Sequence, residues 1–397
     1  MASSAVAVQA AQAPQRYMQG IAVPASSVRP VEFFARTRRH TTLERSTTWG
    51  GFAGQDTFEL RKSDILAGAW FKFTGSLVVT TPTGAVVTTA RWPYDLIRQL
   101  RFTANGQSNI INVSGAKLKV RQIMARDARN DRGVPQTVAG SSRVQGTLSD
   151  ASEIWGVGSQ STATAGTYAV ELEWFVPVAE DQVDLAGGIF AATSSTDLTI
   201  TVDYANLSDV FTITGTSTAV LTGSVQLTSL KYSIPIGSDG QIVVPDLSTF
   251  HSLIQSRQAS GLANAENEIR LVGQGAGKSL LRAFYQIWNG TPPAPLAMNA
   301  ANFGKQSWRY AGNETPDEYY DGQIMRYVNE GVYGSDIGGV WGFACHEFAA
   351  ENAFRDVVDM GTTSELRLVT AINSSVTLVA PAIEYVVETI FTAGAGA

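Results

Sequence analysis

Apolar and polar residues alternate along most of this chain with a period of two. In Thr167–Trp174 (TYAVELEW), Val170, Leu172 and Trp174 fall on one side of an extended backbone, and Glu171 and Glu173 on the other. The segments Ile65–Thr81, Leu198–Tyr204, Val225–Ile236, Glu268–Val272, Leu281–Trp288, Gly339–Ala349, Glu365–Ala371 and Val376–Ile390 are also strand-like. They are rich in β-branched and aromatic residues and are bounded by turn formers. Asn105–Gly106 separates two such runs and predicts a tight hairpin, because this pair supplies the positive φ angles the turn needs.

Helical patterns are few. Gly115–Arg129 places Leu118, Val120, Ile123 and Met124 on one stripe, with basic residues opposite. Thr315–Val328 begins like a capped helix, with Thr315 at the N-cap, Pro316 at N1 and acids in the first turn. Asp246–Gln258 reads as a short helical connector, and the Ala/Gln-rich residues 1–20 as a short helix stopped near Pro14. Residues 21–60 show no clear period and read as an extended arm, and 130–167 as a long polar loop. Short strands in two blocks, each with one helical insert, predict an all-β fold of two tandem β-sandwiches. The expected divisions are an N-terminal arm at 1–60, a first roll at 61–240, a connector at 241–262 and a second roll at 263–397.

Composition narrows the function classes. Of the 397 residues, 44% are hydrophobic and only 16% charged, which suits a subunit packed among neighbours. The net charge of −6 excludes a nucleic-acid binder by bulk electrostatics. Charge is nonetheless uneven. Residues 1–50 carry Arg16, Arg29, Arg36, Arg38, Arg39 and Arg45 against Glu32 and Glu44, so a basic arm precedes an acidic body. Arginine binds phosphate well, and a polybasic cluster gains roughly 1 kcal/mol per residue near an anionic membrane. The lone Cys345 excludes an internal disulfide. No run of 18 apolar residues occurs, and the N-terminus lacks a signal-like basic region, so the expectation is a protein made in the cytoplasm.

No catalytic constellation is visible. Gly273–Ser279 (GQGAGKS) has three residues where a phosphate loop needs four between Gly and Gly-Lys, and LLRAFYQIW after it reads as a strand. His40, His251 and His346 are far apart, so no cofactor or metal site is expected, and His346–Glu347 reads as a surface pair. The acid pairs Glu171/Glu173 and Asp317/Glu318 are neighbours on one element rather than carboxylates facing across a cleft. The eight tryptophans fall mostly in apolar runs and read as core.

Several stretches also carry a resemblance. Trp174, Val176 and Pro177 (WFVPVA), Asp184–Leu185 (VDLAGGIF), Asp203–Asn206 (DYAN), Ile236–Gly240 (IGSDG), Pro245–Phe250 (PDLSTF) and 329–343 (NEGVYGSDIGGVWGF) occur in an order and spacing that resemble one family. It is the double jelly-roll major capsid proteins of tailless, membrane-containing, tectivirus-like bacteriophages. The resemblance implies two tandem eight-stranded jelly rolls with short helical insertions, in a structural virion protein rather than an enzyme. It implies homotrimeric, pseudo-hexagonal capsomers assembled into an icosahedral lattice, with penton and minor capsid proteins as further partners. It also implies that the basic arm, Arg16 to Arg39, faces an inner viral membrane, and that there is no sequence-specific nucleic-acid contact. The alternative from a different class is a carbohydrate-binding or adhesin-like β-sandwich.

Overall fold

The computed structural model describes residues 16–18, 21–23, 28–104, 107–125, 162–163, 165–193, 197–271, 277–310, 318–319, 321–334, 336–349, 358–360 and 366–392. Sixteen strands build two jelly rolls. The first roll uses β1 (Arg39–Thr48), β2 (Gln55–Glu59), β3 (Ile65–Thr80), β4 (Ile97–Ala104), β5 (Gln107–Val113), β6 (Gly166–Pro177), β7 (Leu198–Tyr204) and β8 (Thr218–Tyr232). The second uses β9 (Thr249–Gln258), β10 (Glu266–Arg270), β11 (Lys278–Asn289), β12 (Phe303–Tyr310), β13 (Glu318–Tyr319), β14 (Phe343–Glu347), β15 (Leu366–Ile372) and β16 (Ala382–Thr392).

The sheet orders repeat. In the first roll they are β6-β3-β8-β1 and β2-β7-β4-β5; in the second, β14-β11-β16-β9 and β10-β15-β12-β13. Raising each number of the first set by eight gives the second. The rolls are joined edge to edge, because β5 and β9 pair in parallel, Leu253 beside Ile111 and Ile254 beside Asn112. This pairing makes one continuous ten-stranded sheet from β2-β7-β4-β5 and β9-β16-β11 with their short flanking strands.

Each sandwich buries the inward residues of its two sheets. Phe58, Phe71, Leu100, Phe102, Leu172 and Trp174 fill the first roll, and Ile269, Phe303, Trp308, Leu368, Tyr385 and Val387 the second. Val170, Leu172 and Trp174 face inward as the alternation requires. The hairpin expected at Asn105–Gly106 is consistent with its flanks: Ala104 of β4 pairs with Gln107 of β5. A helix, α1 (Pro30–Arg36), inserts Phe33 against Ile65, Leu230, Val243 and Val244, and covers one end of the β6-β3-β8-β1 sheet from outside.

Three expectations change. Arg39–Thr48 and Gln55–Glu59, read as part of an arm, are strands β1 and β2. They end their sheets, and edge strands facing solvent carry polar residues that hide the period. The connector Asp246–Gln258 is not helical. Thr249–Gln258 is β9, flanked on both sides by strands, and with its middle buried its apolar spacing says little about period. The helix placed at Thr315–Val328 is α3, Gly322–Tyr333. Asp321 caps it by accepting from the Ile324 N–H at 2.9 Å, and Gly334 ends it with φ 68°. Thr315 and Pro316 lie outside the described residues, as does the loop 130–167 up to Ser161. The run 329–343 does pass from helix to strand, through a short helix α4 (Ile337–Trp341) into β14.

Candidate functional site: the ionic seam between the rolls

The helix between β5 and β6, α2 (Gly115–Met124), is the centre of the molecule's chemistry. Ala116, Leu118, Val120 and Ile123 join the first core. Gly115 allows the closest approach to the roll. A Cβ there would lie 2.2 Å from the Tyr94 carbonyl oxygen and 2.8 Å from the Trp174 indole nitrogen. The sequence places basic residues opposite the apolar stripe of α2, where a solvated face would be ordinary. Instead Lys117, Lys119, Arg121 and Gln122 are all buried. The second roll covers Lys117 and Arg121 with the outward side of β11 and β16, where Arg282, Phe284, Gln286, Glu384, Val386 and Glu388 are themselves buried, while Lys119 lies 5.3 Å from the Tyr94 ring of the first roll.

Buried charge of this kind must be paired and hydrogen-bonded. Lys117 Nζ donates to Glu384 Oε2 at 2.7 Å and to Gln286 Oε1 at 3.1 Å. Arg91 donates to the other Glu384 oxygen and to Asp95, each at 2.9 Å, and its guanidinium lies 4.2 Å from the centre of the Trp288 ring. Four residues along α2, Arg121 grips Glu388 through Nε at 2.8 and 2.9 Å and reaches Glu180 at 3.2 Å. Arg282 joins from the second roll, donating to Glu388 at 2.7 Å, Glu347 at 2.7 Å and Glu180 at 3.1 Å. His251 lies between two acceptors, the Pro177 carbonyl at 2.8 Å and Glu388 at 2.7 Å. The network thus ties α2 and the turn after β6 in the first roll to β9, β11, β14 and β16 of the second.

The electrostatics follow from this packing. Burial alone would raise the Glu388 carboxyl, but Arg121, Arg282 and His251 hold it well below the usual range. Glu384 is likewise pushed up by burial, yet Lys117 and Arg91 hold it at about 2. Burial would lower the Arg282 guanidinium, and Glu388, Glu347 and Glu180 reverse that. The arrangement fixes the two rolls rigidly against each other, and it offers no nucleophile. Cys345 is buried, which together with Glu347 pushes its thiol well up.

The other residues singled out from the sequence are scattered. His346 is a correction: it is no surface residue but 1% exposed, stacked 4.9 Å from Trp308 in the second core, with no hydrogen-bond partner for either ring nitrogen among the described residues. Burial alone pushes it down to about 3. His40 sits 3.4 Å from Asp64, remote from both. Among the described residues no group of three or more His, Cys, Asp or Glu could hold a metal ion. Residues 272–276 lie outside the described set, and Lys278 opens strand β11 rather than a helix. Of the seven described tryptophans, six are buried and Trp70 is half-buried. Glu171 points outward and pairs with Lys72.

The arginines of the N-terminal segment are not brought together as one free cluster. The backbone of Arg16 lies in a hairpin strand, Arg16–Met18, paired with Ile21–Val23. Arg29 pairs with Glu32 and Asp239, and Arg36 with Glu32 at 3.3 Å. Arg39 donates to Gln182 at 3.0 Å. Arg36, Arg38 and Arg39 are exposed, beside Val31 and Phe34 of α1, which are 87% and 38% exposed.

The seam was missed in the sequence, although one signal was present. Glu384 and Glu388 interrupt an otherwise apolar strand, AIEYVVETIF, on the same side as Val386. Acids inside such a run mark buried charge in need of partners.

The sequence matches no protein-family model and no curated protein. The fold does match solved structures. The major capsid protein of STIV, the Sulfolobus turreted icosahedral virus, aligns with a TM-score of 0.64 at 13% identity, covering 90% of this chain and 97% of that one. PBCV-1 VP54 aligns with a TM-score of 0.55 at 11% identity, covering 91% and 96%. Both are double jelly-roll major capsid proteins. The chain shares their fold over about nine-tenths of its length.

Proposed function

We propose that this chain is the major capsid protein of an icosahedral virion, working as a structural block and not as an enzyme. The observation that carries this reading is the repeat itself: two rolls of identical strand order locked by one buried ionic seam. A shell subunit needs two similar units in one fixed relation, so that a small number of copies presents a near-sixfold outline and tiles. The seam supplies that rigidity, and the fold shared with viral capsid proteins supports the role.

Three copies would form the capsomer, and capsomers would then contact one another, penton proteins and minor capsid proteins. The tectivirus-like reading adds an inner membrane facing the N-terminal segment. Arg36, Arg38 and Arg39 around exposed Val31 and Phe34 are its support, since arginines flanking apolar side chains suit a phosphate-bearing lipid surface. The carbohydrate-binding alternative draws no support from six of the seven described tryptophans, which are taken up by the cores.

Negative-stain electron microscopy of the purified chain, classified without imposed symmetry, tests the capsomer. Flat hexagonal particles with threefold density are expected; monomers or elongated oligomers would overturn it. The membrane contact is tested by flotation with anionic vesicles, comparing the assembled protein with the Val31→Asp, Phe34→Asp double variant. Equal flotation of the two would remove that part.

A further inference from the structure

Because the strand order repeats, every contact in the first roll has a counterpart position in the second. The helix between the fifth and sixth strands is α2 in the first roll and α3 in the second. Each packs on the fourth and sixth strands of its own roll, β4 and β6 for α2, β12 and β14 for α3. Their outer sides have different fates. That of α2 is buried by the outward side of β11 and β16, the third and eighth strands of the second roll. The outer side of α3 is open: Ile324, Tyr327 and Val328 form an apolar stripe, 40%, 62% and 38% exposed. Its inner side is fully used, by Met325 in the core and by Asn329, which brackets the Cys345 backbone at 2.8 and 2.9 Å.

The sheet faces show the reverse mismatch. The outward side of β11 and β16 is covered by α2. The equivalent outward side of β3 and β8, the third and eighth strands of the first roll, is open beyond the end that α1 covers. Val78 and Val220 sit directly opposite each other there, 39% and 52% exposed, followed by the pairs Ser76–Thr222 and Thr74–Ser224. The chain therefore carries one mated helix-on-sheet contact and, at its two ends, both halves of a second one left unmated.

We infer that α3 of one copy docks on the outward β3–β8 face of the next copy, reproducing between molecules the contact that α2 makes within one. Ile324, Tyr327 and Val328 would cover Val78 and Val220. The contact is heterologous, helix to sheet, and with a rotation of about 120° per copy it closes into a ring of three that leaves neither half exposed. Inside the chain the equivalent contact is ionic; between chains it is apolar on a Ser/Thr-rich ground, which keeps the lone chain free of uncompensated surface charge. This inference rests on the capsomer reading and names the surfaces that would hold the capsomer together.

The test uses the full chain. Tyr327→Asp and Val220→Asp, made separately, alter exposed residues on opposite halves. Each is expected to raise the concentration at which trimers form by roughly 100-fold, in analytical ultracentrifugation, with an unchanged circular dichroism spectrum and Tm. The only native cysteine, Cys345, is buried. A chain carrying both Tyr327→Cys and Val220→Cys, treated with a flexible bismaleimide, should therefore give a covalent ladder ending at three chains. Wild-type trimers unaffected by either aspartate and not cross-linked through the cysteines would overturn the docking while leaving the capsomer standing. A wild-type chain that stays monomeric at all concentrations would remove both.

Discussion

The helices α2 and α3 occupy the same place in two copies of one fold, yet they solve opposite problems. α2 meets its partner during folding, within one chain. Its Lys117 and Arg121 can be buried because Glu384 and Glu388 arrive on the same molecule in fixed register. α3 has a free outer side and shows Ile324, Tyr327 and Val328 there, with Glu330 exposed at its margin. An outward face with the charge density of α2 would need every partner in place before it could be desolvated favourably, since the penalty for an unpaired buried ion exceeds the gain from any one pair. Permanent contacts can be ionic and intolerant; contacts made after folding are better served by apolar contact area.

The comparison is broken most severely at Glu388. Glu388→Ala leaves Arg121, Arg282 and His251 facing each other without their shared carboxylate. We expect a loss of about 3–5 kcal/mol in denaturant unfolding, and a lowered Tm. A loss under about 1 kcal/mol would mean that water reaches the seam and that the rolls are less tightly locked than the geometry shows.

Acid probes the cores and the seam separately. His346 is held neutral in the fold, at about 3, against an ordinary value of 6.5. Below 6.5 the unfolded chain binds a proton the folded chain refuses, so stability falls as pH drops, by about 1.4 kcal/mol per pH unit, until the pH reaches about 3. Glu384 behaves differently. Its folded value of about 2 lies under the ordinary 4.5, so the stability it contributes is present above pH 4.5 and is lost between 4.5 and 2. Between pH 4.5 and 6.5 His346 thus contributes to the slope before Glu384 does. His346→Phe, which keeps the stacking on Trp308, should flatten the slope in that window, and an unchanged slope would assign it elsewhere.

A smaller effect is expected at Gly115, where α2 meets the roll. Gly115→Ala gains helix propensity but drives its Cβ into the Tyr94 carbonyl, and backbone there must shift. A net cost of about 1–3 kcal/mol is expected from thermal unfolding. The smallest effect belongs to α3: Tyr327→Asp should change the stability of the isolated chain by no more than about 0.5 kcal/mol. A large loss there would show that Tyr327 serves its own fold and not a neighbour.

Much of the fold could be read from the sequence where one side of an element faces a core and the other faces solvent. Val170, Leu172 and Trp174 announce β6 because their alternation is imposed by that geometry. The reading fails where the geometry differs. Edge strand β1 is too polar to show a period, and in β9 three consecutive residues, His251, Ser252 and Leu253, are buried, which breaks one. The candidate site was missed for a related reason. Lys117 and Arg121 carry the pattern of a solvated helix face, and only the partner strand tells a solvated cation from a paired one.

What the sequence by itself determined is therefore local. It set the alternation and the ordered motifs that resemble capsid proteins. The tertiary structure alone decided which charges are buried, because Lys117 and Glu384 stand 267 residues apart and meet only when the second roll closes over the first. It also decided which of two equivalent helices stays open. Burial depends on what a residue faces, and along a β-rich chain the facing residue is seldom a neighbour in sequence.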